Sequence, residues 1–441
     1  MAREIPRSLI IGSILTAATL AILYLFTRIP TGQETSELQS AGSRLASGSV
    51  AYVGGDKCAT CHQRVTPDIV YQYASSSMAK SGVKCEDCHV VDKSNPLGHD
   101  HEGFFITSEP TPLQCGRCHV RETEEYEDSR HAGPAWVALT GFDDFTPEQK
   151  KQTEQIAEMT RGPNGIPTAT RNSIFDMEGP AVTPAACQSC HEIGKPNRDG
   201  SIGNCNKCHL RHEFSLAQAR KPEVCGQCHL GPDHPQEEIY RESAHGVMYA
   251  TEGDKWNWSQ KPGRLTTSDM PAPTCATCHM SGFGGEGTTH EVGTRLTKFL
   301  FAAVSTDRPN GQQNRLAMQG VCANCHSEPF IKDVYRRADS VTSFVNQKVQ
   351  EATAIITDLI NRKIITSKPF ATQISYDAFD LWHYYGRTAK FGAYMQGPDF
   401  VQWHGVYPMM RELNKVKEDA AEMIRRAAAG RRTKSKTGAA E

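Results

Sequence analysis

The sequence predicts a mostly α-helical protein with a core packed around cofactors, long C-terminal helices and an N-terminal transmembrane helix. Three observations predict this class: a cysteine–histidine motif that occurs eight times, an uncharged run over residues 8–26, and apolar residues at every third or fourth position between Asp339 and Arg362. Only 38% of the 441 residues are hydrophobic and 8% are aromatic, which makes a thin core for one large globule. We therefore expect cofactors to fill much of the interior.

The repeated motif is C-x-x-C-H, the attachment sequence of c-type haem. Its two thiols form thioethers with the haem, and the adjoining histidine is placed to bind the iron. The eight copies use all sixteen cysteines, which are Cys58, Cys61, Cys85, Cys88, Cys115, Cys118, Cys187, Cys190, Cys205, Cys208, Cys225, Cys228, Cys275, Cys278, Cys322 and Cys325. The expected proximal ligands are His62, His89, His119, His191, His209, His229, His279 and His326.

Three other uses of paired cysteines fit less well. A disulfide framework gives no reason for a histidine after every pair. A zinc ribbon or finger needs a second pair of ligands for each ion, and an iron–sulfur cluster needs four cysteines. We therefore predict eight covalently attached haem c groups, whose removal should unfold the chain. The net charge of −2 gives no support for nucleic-acid binding.

Residues 1–30 are predicted to be a membrane anchor. The uncharged run of 19 residues would span about 28 Å as a helix, close to the hydrocarbon thickness of a bilayer. A cleaved signal peptide is the alternative, but the run is long for one and lacks a small-residue cleavage site. Arg3 and Arg7 place the N-terminus in the cytoplasm and the haem domain on the periplasmic side of the cytoplasmic membrane.

The rest of the chain divides by composition. Residues 31–50 read as a flexible tether, 51–335 as the octahaem domain, 336–428 as a haem-free helical region and 429–441 as a disordered basic tail. Within the haem domain, a capped helix is predicted from Thr146 to about Met159, a loop over 161–184 and one short helix over 237–250. Residues 377–394 and 406–428 are predicted to be helical.

Nine histidines lie outside the motifs, enough to give every haem a second ligand. An iron with two histidine ligands only carries electrons, whereas one open face can bind a substrate. The count permits a pure electron conduit, or seven saturated haems and one open haem. As second ligands we expect His131, His212, His245, His290 and His404; the other spare histidines are His99, His101, His234 and His383.

The adjacent Asp233 and His234 are the candidate catalytic pair. A histidine can carry protons near neutral pH, and a neighbouring carboxylate can orient or charge it. On spacing alone, His234 could equally be an ordinary haem ligand with an incidental acidic neighbour.

Two local sequences, CGQCHLGPDHPQ at 225–236 and IYRESAHG at 239–246, resemble those of the octahaem hydroxylamine oxidoreductases. With the eight motifs and the haem-free helical end, the resemblance covers about residues 52–425. It implies a haem-packed helical subunit, commonly a homotrimer, with seven haems ligated by two histidines. It also implies an open haem on Cys187 and Cys190, with His191 below the iron and Asp233 and His234 above it.

The resemblance leaves the direction of the reaction open. Members that oxidise hydroxylamine or hydrazine carry a C-terminal tyrosine bonded to the catalytic haem of a neighbouring subunit, whereas relatives without that bond tend to form ammonia. Five tyrosines lie in the relevant stretch: Tyr376, Tyr384, Tyr385, Tyr394 and Tyr407. The segment GPDFVQWHG at 397–405 instead offers Phe400, so we favour the reductive subgroup.

The expected reaction is therefore an oxidoreduction of a small nitrogen compound such as hydroxylamine, nitrite or nitric oxide. A cytochrome or a quinone-linked membrane protein is the expected redox partner. Two rivals stay open: a conduit without chemistry, in which all eight haems have two histidine ligands, and an enzyme for a sulfur oxyanion.

Overall fold

The computed structural model describes residues 56–158, 171–283 and 285–437, and its fold is mostly helical (58%). The predicted fold class is thus confirmed in its helical part. The chain divides into two units, residues 1–60 and 61–441. In the first unit the described residues are 56–60, where Asp56 Oδ1 accepts hydrogen bonds from the backbone N–H groups of Cys58 (2.8 Å) and Ala59 (3.2 Å).

Short helices and turns separated by loops make up the motif-bearing part of the chain. Its α-helices are Lys57–Val65, Pro67–Ser75, Ser77–Lys80, Cys85–His89, Pro112–Cys115, Val120–Glu127, Gly133–Thr140, Pro147–Glu158, Ser173–Glu178, Cys187–His191, Leu216–Ala219, Pro222–Gly226, Gln236–Glu242, Ala244–Glu252, Cys275–His279 and Gly311–Cys322. Three-residue 3₁₀ turns are Glu192–Gly194, Cys205–Lys207 and Gly253–Lys255.

A two-stranded antiparallel hairpin follows the second motif. His99–His101 pairs with Phe104–Ile106, with His99 opposite Ile106 and His101 opposite Phe104. The sequence analysis predicted no strand here. Two strands can form without a larger sheet because the tight turn at Glu102 and Gly103 takes positive φ values of 47° and 85°.

The long C-terminal helices form where they were predicted. Glu328–Asn361 extends the predicted helix by about three turns at its N-terminus. It is followed by Gln373–Asp380, Arg387–Met395, Pro398–Val401 and Tyr407–Thr437. Two π-helical segments, Leu381–Gly386 and Gln402–Val406, join these helices. A π-helix holds one extra residue per turn and is frequent at functional sites.

This helical end has its own side-chain core. Val345 and Val349 of the long helix pack with Leu381, Met409 and Leu413, all of them almost fully buried. Burial of each such side chain contributes about 1.5–3 kcal/mol relative to its exposure, so this region can be stable without cofactor contacts.

Local capping explains where several helices begin. The predicted helix at Thr146 is confirmed: Gln149 N–H donates to Thr146 Oγ1 (3.3 Å) and Thr146 N–H donates to Gln149 Oε1 (3.0 Å), which is a reciprocal capping box. The helix is described to Glu158, and its predicted end at Met159 lies outside the described residues.

Two local predictions were wrong. The single helix predicted over 237–250 is two helices, because extended backbone at Ser243 interrupts the first and its Oγ caps the second by accepting from Gly246 N–H (3.2 Å). The loop predicted over 161–184 contains the helix Ser173–Glu178, which Asn172 caps by accepting from Ile174 N–H (2.9 Å).

The predictions for the two ends of the chain have different outcomes. The predicted anchor over 1–30 and the tether over 31–50 lie outside the described residues. Within the ranges the structure describes, no helix is long and apolar enough to cross a bilayer. The last helix continues to Thr437, into the stretch predicted to be a disordered tail.

Candidate functional site

In three of the motifs, the local fold places the two thiols and the histidine on one side of a helical turn. Cys187–His191 and Cys275–His279 are single helical turns, and Cys85–His89 is another. Residues three and four positions apart lie on one face of a helix, so the two thiols and the histidine of a motif point to the same side. All sixteen cysteines lie among the described residues and none is in a disulfide.

Pairs of histidine rings provide a test of whether haem iron fits. Metal–nitrogen bonds of about 2.1 Å on each side, with about 1 Å from nitrogen to ring centre, place the two ring centres of a bis-histidine iron roughly 6 Å apart. Five motif histidines have a spare histidine at 5.9–6.3 Å: His62 with His101, His89 with His212, His209 with His290, His229 with both His131 and His234, and His326 with His245. This spacing fits an iron between the rings.

Hydrogen bonds also orient proximal rings toward a metal. The Nδ1 of His89 lies 2.8 Å from the carbonyl oxygen of Thr107, and that of His191 contacts the carbonyl oxygen of Ala135. Since a carbonyl can only accept, Nδ1 carries the proton and Nε2 is left to bind iron. Burial lowers the pKa of His279 to about 4, which keeps its imidazole in the neutral form that binds metals.

The expected second ligands are distributed unevenly. His131, His212, His245 and His290 each face a motif histidine, whereas His404 is exposed and contacts Asp399 (3.0 Å) and the ring of Phe400. Iron ligation by His404 therefore stays a prediction. The ring of His101, which the sequence analysis did not include among the expected second ligands, lies 6.1 Å from that of His62.

Three motif histidines differ from the other five. In the described part of the chain, the ring contacts of His119, His191 and His279 include no second histidine. The predicted open haem at His191 is compatible with this, while two ligands for the third and seventh haems stay predictions.

Electrostatic effects between thiols, some of them with a hydrogen bond, show which motifs are neighbours. Cys88 lies near Cys115, Cys115 near Cys205, and Cys208 near Cys225. Further along, Cys225 lies near Cys275 and Cys278 near Cys322. The second, third, fifth, sixth, seventh and eighth motifs thus form a continuous row. The fourth motif is beside this row, because Cys190 lies near Cys228 of the sixth motif.

The candidate catalytic pair lies on the loop after the sixth motif. His234 Nδ1 is 2.6 Å from Asp233 Oδ1, and both side chains are about one-quarter exposed. Gly231 has a φ of +88°, a conformation that favours glycine, and the hydroxyl of Thr388 donates to the carbonyl of Pro232 (3.2 Å). This hydrogen bond ties the loop to the C-terminal helices.

The structure brings this pair to the fourth motif. Asp233 is close enough to raise the pKa of the Cys187 thiol, an effect smaller than those of burial and of Glu178, whose Oε2 lies 3.4 Å from Cys187 Sγ. Both His234 and Asp233 also influence the pKa of His191, which burial lowers. The pair and the fourth motif are separated by more than forty residues in the chain and meet only through the fold.

Two further residues complete the cluster, and the sequence analysis assigned them no role here. Arg387 Nη1 lies 3.7 Å from Asp233 Oδ2 and donates to His383 Nε2 (3.0 Å). His383 belongs to the π-helical turn Leu381–Gly386, and Arg387 follows it four positions later, directly after that turn. No motif marks either residue, so no signal in the sequence could have identified them.

Charge and burial shape the protonation of this cluster. Burial opposes ionisation of Asp233, but the contact with His234 and the positive charge of Arg387 prevail and lower its pKa. Burial and the charge of Arg387 lower the pKa of His383 to about 3, so it is neutral. Burial lowers the pKa of Lys390, one turn beyond Arg387, to about 7. The cluster therefore holds a carboxylate, a guanidinium and a neutral imidazole.

Comparison with known proteins finds similarity to multihaem cytochromes. The family model described as "Seven times multi-haem cytochrome CxxCH" matches residues 176–371, which contain the last five motifs. A curated protein of Kuenenia stuttgartiensis, a probable nitrite reductase-hydroxylamine oxidoreductase fusion protein, is 26% identical over 371 residues. That match covers 71% of this chain and 39% of the relative, so the chain spans about two fifths of the relative's length.

Two solved structures are similar in fold. A hypothetical multiheme protein matches with a TM-score of 0.70 at 22% identity, over 85% of this chain and 95% of that chain. The reducing HAO-like protein complex of Kuenenia stuttgartiensis matches with a TM-score of 0.61 at 21% identity, over 85% of this chain and 86% of that chain. At these identities the likeness concerns the fold alone.

Proposed function

We propose that this chain, a multihaem cytochrome c related to hydroxylamine oxidoreductase-like proteins, reduces a small nitrogen compound at the fourth motif. The substrate would be nitrite, nitric oxide or hydroxylamine, and the product ammonia. One observation carries the proposal: Asp233 and His234 lie beside a motif whose histidine, His191, has no second histidine ring in contact within the described residues.

The site residues would divide the work between binding and proton transfer. When bound through Cys187, Cys190 and His191, haem supplies an iron that takes a nitrogen ligand and exchanges electrons with it. Conversion of nitrite to ammonium consumes six electrons and eight protons and releases two waters. His234 would deliver protons at Nε2, because Asp233 Oδ1 lies 2.6 Å from its Nδ1 and orients the ring.

The remaining motifs would supply the electrons. Five of the seven have two histidine rings at the spacing of a saturated iron, and a saturated iron only transfers electrons. A total of eight haems, seven of them saturated, is part of the proposal. A row of such centres suits a reaction that consumes several electrons before the product leaves.

The reductive direction is also a proposal. Phe400 is buried against Ile239 and Phe391 in its own subunit. A phenylalanine at this position therefore gives no information about a tyrosine bond to a neighbouring subunit. Among the five tyrosines, Tyr376 (37%) and Tyr407 (53%) are the most exposed and could make such a bond. The direction is supported by the similarity in fold to a complex described as reducing, a property of that complex.

The cellular setting follows from the sequence and is proposed with the function. The uncharged run over residues 8–26 would anchor the chain in the cytoplasmic membrane, with the haem domain on the periplasmic side. A cytochrome or quinone-linked membrane protein would supply electrons, and the chain would assemble as a homotrimer.

Spectroscopy of the purified holoprotein tests the proposal. Optical and electron paramagnetic resonance spectra would be recorded with and without nitrite and hydroxylamine. A high-spin iron signal that these ligands perturb, with no reduced band far to the red of ordinary haem c, is the expected result. The red-shifted band would instead favour oxidation through a tyrosine bond. Low-spin haems alone, unaffected by either ligand, would leave an electron conduit.

A further inference from the structure

Arg387 occupies an unusual place for an arginine. Its side chain is 10% exposed and lies over the rings of Phe301 (5.4 Å) and Trp382 (5.0 Å). Its Nε donates to the carbonyl of Phe301 (2.8 Å), which fixes the direction of the guanidinium. Arginine is always charged and presents a planar set of donors, so burying it requires anionic or acceptor partners.

The partners present do not satisfy this group. Asp233 approaches only to 3.7 Å at Nη1, longer than the 2.7–2.9 Å of a charge-assisted hydrogen bond. Nη1 does donate to His383, and the hydrogen bonds of Arg387 within the described residues are made by Nε and Nη1. Part of the guanidinium is therefore available to another acceptor.

A neighbouring imidazole adds an unmatched donor. His383 Nε2 accepts from Arg387, so its Nδ1 carries a proton, and this buried atom has no hydrogen-bond partner in the described structure. Buried polar groups without partners are rare and indicate a missing ligand.

We propose that Arg387 and His383 form an anion subsite that makes nitrite the preferred substrate of this centre over hydroxylamine. The inference rests on the proposed function and specifies its substrate class. Nitrite is a bent monoanion with two acceptor oxygens, and its nitrogen stays available to a metal while the oxygens face donors. Hydroxylamine is uncharged near neutral pH and has a single oxygen, so it gains little from a buried guanidinium.

The test compares an anion with a neutral ligand in the oxidised, full-length holoprotein. Dissociation constants for nitrite, sulfite and imidazole would be measured from the perturbation of the high-spin haem spectrum. In Arg387→Gln, nitrite binding should weaken about 10- to 100-fold while imidazole binding changes less than about threefold. Arg387→Lys should lie between the two, because it retains the charge without the planar donor set.

The matched control is Arg337→Gln, which removes an exposed arginine paired with Asp333 (3.1 Å) on the long helix. It should leave all three constants unchanged. Equal weakening of nitrite and imidazole in Arg387→Gln would overturn the inference and assign Arg387 a role in holding haem. Unchanged nitrite binding, or tighter binding of dianionic sulfite than of nitrite, would also overturn it.

Failure of the proposed function can be distinguished from failure of the anion subsite. If the unmodified protein binds none of these ligands at a high-spin haem, both proposals are wrong. If it binds nitrite and turns it over with a chemical reductant, but Arg387→Gln has the same KM for nitrite, only the subsite is wrong. The supporting result is a KM for nitrite raised about 10- to 100-fold with the KM for hydroxylamine nearly unchanged.

Discussion

A double-mutant cycle on Asp233 and His234 is the strongest test of how the site works. His234→Ala removes the proposed proton donor, and Asp233→Asn preserves the shape of its partner while removing the charge. Loss of a positioned general acid or base lowers turnover by about 10²- to 10⁴-fold, so kcat in His234→Ala should fall in that range.

The size of the Asp233 effect follows from its contacts. The carboxylate is 2.6 Å from His234 and 3.7 Å from Arg387. A charged hydrogen bond contributes about 1.5–3 kcal/mol and a neutral one about 0.5–1.5 kcal/mol. The loss of about 1–1.5 kcal/mol corresponds to a roughly tenfold fall in kcat. Because Asp233 acts through His234, turnover by the double variant should be at most about threefold slower than turnover by His234→Ala.

The assay is turnover of nitrite and of hydroxylamine with a reduced viologen as electron donor, normalised to haem content. Asp399→Asn is the matched control, since Asp399 forms a similar pair with His404 (3.0 Å) on the surface. An exposed pair contributes little, so its turnover should stay within about twofold of the unmodified protein. The reasoning is refuted if His234→Ala keeps its turnover, or if the two single losses multiply in the double variant.

Three further predictions concern other parts of the molecule. His101→Ala should convert one low-spin haem into a high-spin haem in the paramagnetic resonance spectrum, because His101 faces His62; His99→Ala, on the same exposed strand, should leave the spectrum unchanged. Ser243→Ala should lower stability by about 1 kcal/mol through loss of a helix cap and should reduce the Tm, whereas Ser340→Ala on the exposed face of the long helix should not. The stability of the unmodified protein should rise with pH above about 7, by at most about 1.4 kcal/mol per pH unit. The pKa of Lys390 is about 7 in the folded protein and its ordinary value is 10.5, so the unfolded chain binds more protons between these two pH values. Lys390→Met should flatten this part of the Tm profile, and an unchanged slope would contradict the assignment.

The attachment chemistry could be predicted from sequence because it is local. Two thiols and a histidine must lie within five residues to hold one haem, and that spacing is visible without a structure. The long helix around Val345 and Val349 was equally visible, since its apolar period matches 3.6 residues per turn.

Which spare histidine faces which motif histidine could not be predicted, because these pairings depend on contacts distant in sequence. His89 and His212 are more than 120 residues apart, and nothing local to either selects the other. His404 shows the converse: it was expected to be a ligand from its surroundings in sequence, yet it lies on the surface beside Asp399. The sequence gives no sign that Arg387 and His383 lie near Asp233, because only a turn of π-helix and the loop after the sixth motif bring them together.

The position of the fourth motif beside the sixth has a consequence for the supply of charge. A centre at the end of a row receives electrons from one side, whereas a centre attached near the middle can draw on two reservoirs that meet at a single junction. Reducing equivalents stored on either arm then reach the same substrate without passing through each other's irons. If the motifs hold haem as proposed, the two arms would still exchange electrons through this junction when no substrate is bound.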